Sequence, residues 1–160
     1  MDTLILAKGQ LTPSCSKTHI TYCFNLKKEY RKLNISFSYS PKSLEDREKS
    51  KELILKGISA FLEDEKDSAT SQWESFMPIN NLLTISIDDS NGIFRGCGHR
   101  QSPNQNIYIS EDKATPGFIP GKIFLGQWKI TISAHAVITD TCNYTLHIRG
   151  EEKDDKLDSI

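Results

Sequence analysis

Hydrophobic and polar residues alternate with a period of two over much of this 160-residue chain. The clearest run is 32–40, where Leu33, Ile35, Phe37 and Tyr39 are separated by lysine, asparagine and serine. Successive side chains of a strand point to opposite faces, so this pattern predicts a strand with one buried and one solvated face. Shorter runs of strand character occur at residues 4–8, 19–26, 83–87, 93–96 and 106–110.

Two longer runs, residues 127–136 and 141–148, show the same alternation near the end of the chain. A short connection near Asp140 joins them, so we predict a hairpin with one buried side. The predicted buried residues are Trp128, Ile130, Ile132, Ala134, Ala136, Cys142, Tyr144, Leu146 and Ile148. The residues between them, including both histidines of these runs, are predicted to face solvent.

Residues 43–65 follow a helical period instead. Ser43 lies three residues before Asp46, which resembles a capping box at a helix start. A stripe of apolar residues at helical spacing follows, formed by Ile54, Ile58, Phe61 and Leu62. We predict one amphipathic helix whose C-terminal half lies on the sheet. The polar stretch 64–71 is predicted to be a linker.

These elements predict a mainly β fold, an antiparallel β-sandwich of jelly-roll-like type with one amphipathic helix inserted. A single domain over residues 1–150 accounts for all of the predicted strands. The last ten residues, EEKDDKLDSI, are dominated by charged side chains. We therefore predict a disordered charged tail over residues 151–160.

Composition narrows the class of protein. The 20 basic and 21 acidic side chains give a net charge of −1, whereas nucleic-acid binders carry a basic excess, so no nucleic-acid partner is expected. No apolar run approaches the roughly 18–20 residues that span a bilayer. The start, MDTLILAKGQ, lacks the features of a secretory signal. We expect a soluble cytoplasmic protein that does not bind membranes.

Four cysteines are spaced too widely and irregularly for a zinc knuckle, namely Cys15, Cys23, Cys97 and Cys142. We predict that they are small buried or half-buried thiols. Cys23 and Cys142 lie in apolar alternations, which favours burial.

The stretch ATPGFIPGKIFLGQW, residues 114–128, contains two Pro-Gly pairs. Proline presets φ for the second position of a turn and glycine accepts a positive φ at the third, so each pair predicts a type II turn. The two turns would fold the segment back into a corner, with Phe118 and Ile119 as an apolar plug beneath it. The turn signature consists of Pro116, Gly117, Pro120, Gly121, Gly126 and Trp128.

Candidate binding chemistry lies beside this corner, in the segment FRGCGHR at residues 94–100. Arg95, His99 and Arg100 bring cationic groups next to glycines that let backbone N–H groups approach a ligand, which suits an anion or a carboxylate. Glu111 and Asp112 lie just before the corner in the sequence and also flank it. The alternative interpretation is that Arg95 forms a structural salt bridge and the glycines serve a bulge.

Metal chemistry has weaker support. His135 and His147 both fall on the outward face of the predicted hairpin, where they would be neighbours. A metal site normally needs three or four ligands, and a third would have to come from elsewhere in the chain, with His99 as the candidate. We therefore predict no metal site and no cofactor.

The second half of the chain resembles a known family through three pieces. They are NLLTISIDDSNGIFRGCGHR, then ISEDKATPGFIPGKIFLGQWKITI, and then CNYTLHI. Their order is similar to that of the N-terminal β-domain of carbaryl-hydrolase-like metallohydrolases of the PHP superfamily, and KLNISFSYSP fits an earlier strand of that domain more loosely. In that family, catalysis belongs to a following PHP domain that opens with an H-x-H metal-binding segment. No such segment occurs up to Ile160, so the resemblance implies the accessory domain without its enzyme, and no catalytic residue is carried over.

Three functions remain open. The first is a non-catalytic accessory or interaction β-domain, whose partner would be a separately encoded PHP-type metallohydrolase domain or another protein. The second is a small-molecule or carbohydrate-binding module, for which Trp73, Tyr22 and Tyr108 are the free aromatic candidates. The third is a small metal-dependent hydrolase with a site at Arg95, His99, Glu111 and Asp112.

Overall fold

A computed structural model describes residues 1–61, 66–99 and 102–154 of the chain. Eight strands form two four-stranded sheets, as the alternating pattern predicts. The strands are β1 Asp2–Leu11, β2 Thr18–Leu26, β3 Tyr30–Ser40, β4 Leu82–Asp88, β5 Phe94–Cys97, β6 Asn104–Ser110, β7 Gly126–Ala136 and β8 Cys142–Glu152. Between β3 and β4 lie α1 Arg47–Phe61, α2 Lys66–Ser71 and a 3₁₀ turn at Trp73–Phe76, and a further 3₁₀ turn at Pro13–Cys15 precedes β2.

The order of the strands is that of a jelly roll. Sheet I has the order β1-β8-β3-β6 and sheet II the order β2-β7-β4-β5, with antiparallel pairing throughout. Two four-stranded sheets built from crossing connections are the jelly-roll arrangement. The predicted β-sandwich with one substantial inserted helix is therefore confirmed.

The predicted hairpin of the last two strands is wrong. β7 pairs with β2 and β4 in sheet II, whereas β8 pairs with β1 and β3 in sheet I. The connection at residues 137–141 crosses from one sheet to the other. A strand with one buried face satisfies its burial equally well beside its neighbour or across a sandwich, so alternation does not decide the pairing.

The core lies between the two sheets, and the residues that face it are mostly those that the alternating pattern predicts to be buried. Trp128, Ile130 and Ile132 of β7 have no exposed surface, and neither do Leu146 and Ile148 of β8. Among the predicted buried residues of these strands, the exception is the last of β7, Ala136, which is half-buried.

The prediction that the cysteines are buried or half-buried holds for only two of the four. Cys142 is buried and Cys15 is half-buried, but Cys23 and Cys97 are exposed. In β2 the inward positions are taken by the larger apolar residues on either side of Cys23, so its thiol lies on the outer face. The prediction that all four thiols are covered is therefore wrong for these two.

The helical insertion differs from its prediction in where it begins and in what covers its apolar face. The cap is Asp46, whose Oδ1 accepts from the Lys49 backbone N–H at 3.0 Å, so α1 begins four residues after Ser43. Ile54 and Ile58 are buried, but Phe61 is 83% exposed, and the main packing partners of α1 are α2 and the following 3₁₀ turn.

Part of the predicted linker, residues 66–71, forms α2, and Leu62 lies outside the described residues. A helical stripe predicts that one face is covered, but it does not identify what covers that face.

The domain extends slightly beyond its predicted end. Glu151 and Glu152 belong to β8, where they pair with Lys32 and Tyr30 of β3. Ion pairs with Arg31 and Lys28 compensate the charge of these two acids, which explains how a charged segment stays in the sheet. Residues 155–160 of the predicted tail lie outside the described residues. None of the helices in the described ranges is long and apolar enough to cross a membrane.

Candidate binding surfaces

The Pro-Gly segment closes one side of the sandwich. Residues 113–121, called the edge strap below, run from the edge of sheet I to the edge of sheet II. At β6, the Thr115 N–H donates to the Tyr108 carbonyl at 3.0 Å. At β5, the Cys97 N–H donates to the Gly117 carbonyl at 3.1 Å and the Ile119 N–H to the Arg95 carbonyl at 3.0 Å.

The first predicted turn of the strap is confirmed and the second is not. The Phe118 N–H donates to the Thr115 carbonyl at 2.9 Å and Gly117 has φ 93°, as a type II turn requires. Gly121 has φ 153°, and the Ile119 carbonyl accepts from Arg95, so the second Pro-Gly pair forms an extended corner. Phe118 is buried as the predicted plug, but Ile119 is 48% exposed.

Arg95 fastens the strap to sheet II from inside. Its guanidinium donates to the carbonyls of Ile119, Gly121 and Lys122 at 3.0–3.1 Å. It also donates to Asp89 Oδ2 at 3.4 Å, and both members of this pair are at least 96% buried, with 3% and 4% exposure.

Two further contacts complete this arrangement. The guanidinium lies 5.3 Å from the centroid of the Trp128 ring. The second oxygen of Asp89 accepts from the Asn91 and Ile93 N–H groups, which shapes the β4–β5 turn. The donors of Arg95 are thus used inside the protein, which matches the structural salt bridge given above as the alternative.

The remaining predicted site residues are not brought together. The exposed His99 is tied through its backbone to Gln105, at the start of β6, by bonds of 3.1 and 2.8 Å. Glu111 and Asp112 directly follow the end of the same strand. Seven extended residues span roughly 20 Å, so His99 and the two acids lie at opposite ends of the sandwich. Arg100 lies outside the described residues.

Glu111 and Asp112 instead line a cleft of about 320 Å³ beside the strap. Three lysines share it, namely Lys32, Lys122 and Lys153. Lys153 pairs with Glu29 at 2.8 Å, and Lys32 lies 4.9 Å from the centroid of the Tyr108 ring. These cations come from β3, the residue after the strap and the C-terminal segment, and their proximity could not be anticipated without the strand order.

The two histidines proposed as weak metal ligands lie on opposite faces of the molecule, so the prediction that they are neighbours is wrong. His135 on β7 bonds Thr84 at 2.8 Å, and His147 on β8 bonds Thr3 at 3.2 Å. The β7–β8 crossing places them in different sheets. Within the described ranges, no group of three or more histidine, cysteine, aspartate or glutamate residues is arranged to hold a metal ion.

The outer face of sheet I carries a surface that sequence reasoning missed. Two depressions of about 270 and 130 Å³ share Ser36 and Asn106, and together they form what we call the sheet I groove. Its other polar members are Asn34, Ser38, Asn104, Gln105, Tyr108, Thr145, His147 and Arg149.

Amides and hydroxyls dominate this groove. The Ser36 hydroxyl donates to Asn106 Oδ1 at 3.1 Å, whereas Arg149 Nε is buried with no hydrogen-bond partner among the described residues. The outward polar residues were visible in each strand, but their convergence depends on β6, β3 and β8 being adjacent.

Comparisons with known proteins add little. No protein-family model matches this chain, and no curated protein matches it either. A crystal structure of a protein from Sulfurospirillum deleyianum is similar over 91% of this chain and 98% of its own, at 10% sequence identity. Its TM-score is 0.33, which carries no inference about function.

Proposed function

We propose that this chain is a non-catalytic accessory β-domain that binds a protein partner, related to the N-terminal β-domain of PHP-type metallohydrolases. The observation that carries the proposal is the corner built by the family-like pieces. Segments 88–99 and 114–128 meet there, joined by Arg95, Asp89 and the strap. A corner fixed from inside presents its outer side in one defined shape, which favours binding without a large ordering cost.

The outer side of this corner carries apolar side chains. Four large hydrophobic residues with 48–59% exposure lie at the β4–β5 turn and the start of β5, in the strap, and between the strap and β7. They are Ile93, Phe94, Ile119 and Leu125. Exposed apolar side chains on a rigid scaffold are the usual anchors of protein interfaces. The partner class is the one that the family resemblance implies, a separately encoded PHP-type metallohydrolase domain.

Gentle co-purification of the tagged chain from its native host, followed by mass spectrometry, tests this function. We expect a PHP-type metallohydrolase to be enriched with the wild type and lost with a Phe94→Ser, Ile119→Ser variant. Leu6→Ser is the matched control, because Leu6 is 61% exposed on β1, in the other sheet. Recovery of no protein partner, or equal recovery with both variants, would count against the proposal.

A small-molecule or carbohydrate-binding module is the second candidate, and the sheet I groove favours it. Neutral amides and hydroxyls in a shallow groove can pair with the hydroxyls of a sugar, and Tyr108 supplies an aromatic ring at one end. Arg149 also lines this groove and adds a charged side chain with hydrogen-bond donors.

A glycan array followed by titration of any glycan that binds would test this second function. Asn106→Ala should weaken binding roughly tenfold, because it removes a hydrogen-bonding amide. Asn25→Ala is the control, since Asn25 is exposed on β2 in the other sheet. A flat array would remove this candidate.

A further inference from the structure

A four-edged sandwich such as this one must protect its edge strands, and three of the four edges are protected. The strap covers β6 through Thr115 and covers β5 through Gly117 and Ile119. β1 has a register irregularity between Thr3 and Ile5 and carries Lys8. Covering segments, bulges and lysines are the devices that prevent an edge from pairing with another chain.

The fourth edge, β2, has none of these devices. It runs for nine residues, THITYCFNL, without a charged residue or a proline. Its register with β7 is continuous from Thr18 to Leu26, so no bulge interrupts it. Within the described ranges, no other strand pairs with its second side. A long, regular, neutral edge is a template for another strand.

We propose that β2 pairs with β2 of a second copy of this chain, antiparallel and about a two-fold axis. The lack of charge on β2 favours β2 of a second copy of this chain as the strand that pairs with this edge. Symmetric antiparallel pairing brings side chains of the same strand opposite one another, and like charges in that position would be destabilising. Since β2 carries no charge between Thr18 and Leu26 at neutral pH, no like charges face one another within the paired strands themselves.

The protected edges also fix the size of the assembly. Joining two copies through β2 makes one continuous sheet with the order β5-β4-β7-β2-β2-β7-β4-β5. Both of its new outer edges are β5 strands, which the strap covers in each copy. The association is therefore closed, and a dimer is expected instead of a filament.

Sedimentation equilibrium of the full chain over a range of concentrations tests the proposal. The wild type should show a monomer–dimer equilibrium without larger species. Cys23→Lys should raise the dimer dissociation constant roughly tenfold or more, since it places like charges near the axis. Ser86→Lys makes the same change on β4, two strands away from this edge in sheet II, and should leave the constant unchanged.

A cross-linking measurement keeps the test decisive if Cys23→Lys impairs folding. With Cys15→Ser and Cys97→Ser, Cys23 is the exposed thiol that remains, because Cys142 is buried. A short bismaleimide should then give a covalent dimer, and Cys23→Ser in the same background should abolish it. A monomer at every soluble concentration, open-ended oligomers, or a dimer insensitive to both Cys23 variants would overturn the proposal.

Discussion

Replacing Arg95 by methionine removes the group that joins the strap to sheet II while keeping a similar stem beside Trp128. Asp89, which is 4% exposed, would be left as a buried charge without its partner. The carbonyls of Ile119, Gly121 and Lys122 would also lose their donors. Breaking a buried pair from one side costs about 3–5 kcal/mol, and we expect a loss of about 4 kcal/mol in the free energy of unfolding.

Urea denaturation followed by tryptophan fluorescence is the assay, because the buried Trp128 reports on this corner. For a domain of this size the expected loss corresponds to a decrease in Tm of roughly 10 °C. Glu74→Gln is the control. It breaks the exposed Arg47–Glu74 ion pair, with side-chain exposures of 56% and 62%, and should cost less than about 1 kcal/mol.

A double-mutant cycle with Asp89→Asn identifies the source of the loss. The asparagine can keep the oxygen that accepts from Asn91 and Ile93 but removes the charge. The loss in the free energy of unfolding for the double variant should be smaller than the sum of the two single losses by about 1 kcal/mol or more. The reason is that, once one member of the pair is replaced, replacing the other no longer leaves a buried charge without its partner. A loss below about 1 kcal/mol for Arg95→Met, or strict additivity in the cycle, would refute this account of the corner.

Three further predictions concern positions outside the corner. Gly9→Ala should lower the free energy of unfolding by about 1–3 kcal/mol in urea denaturation, since a Cβ there would overlap the ring of Tyr144. Gly57→Ala in α1 should raise it by about 0.5–1 kcal/mol in the same measurement, because the space is open and alanine favours helix. Asp2 bonds Lys28, which holds the pKa of the Asp2 carboxyl below its ordinary value of 3.8. The stability that Asp2→Asn removes should therefore be fully present above pH 3.8 and be lost as the pH falls through the lower folded pKa, as measured by denaturation across acidic pH.

Local periodicity was enough to predict the strands and most of the core. Burial of every second residue is a property of one strand and its layer, so Trp128, Ile130 and Leu146 could be assigned inward without knowledge of their neighbours. The turn at Gly117 could be predicted for a similar reason, since proline and glycine restrict the backbone at their own positions.

Properties that depend on two distant segments could not be predicted in this way. The separation of His135 and His147 follows from the crossing of β7 to β8, and either pairing satisfies the same alternation. The burial of Arg95 could not be predicted from its local sequence either. An arginine beside two glycines has the chemistry of an anion site, and only the position of the strap, some 20–30 residues later in the sequence, buries it.

The residues on which the proposed family relation rests are also those that hold the corner together. Arg95 is bonded to the strap, and Trp128 Nε1 donates to the Phe124 carbonyl at 2.8 Å. A change at such positions leaves buried polar groups without partners. Similarity there therefore reflects the requirements of the fold and gives no information about the chemistry of the surface. Substitutions in the signature should therefore lower stability without separating one function from another. Asn106→Ala in the groove and Cys23→Lys on β2 each alter one surface of an intact fold, so they distinguish a ligand-binding domain from a self-associating one.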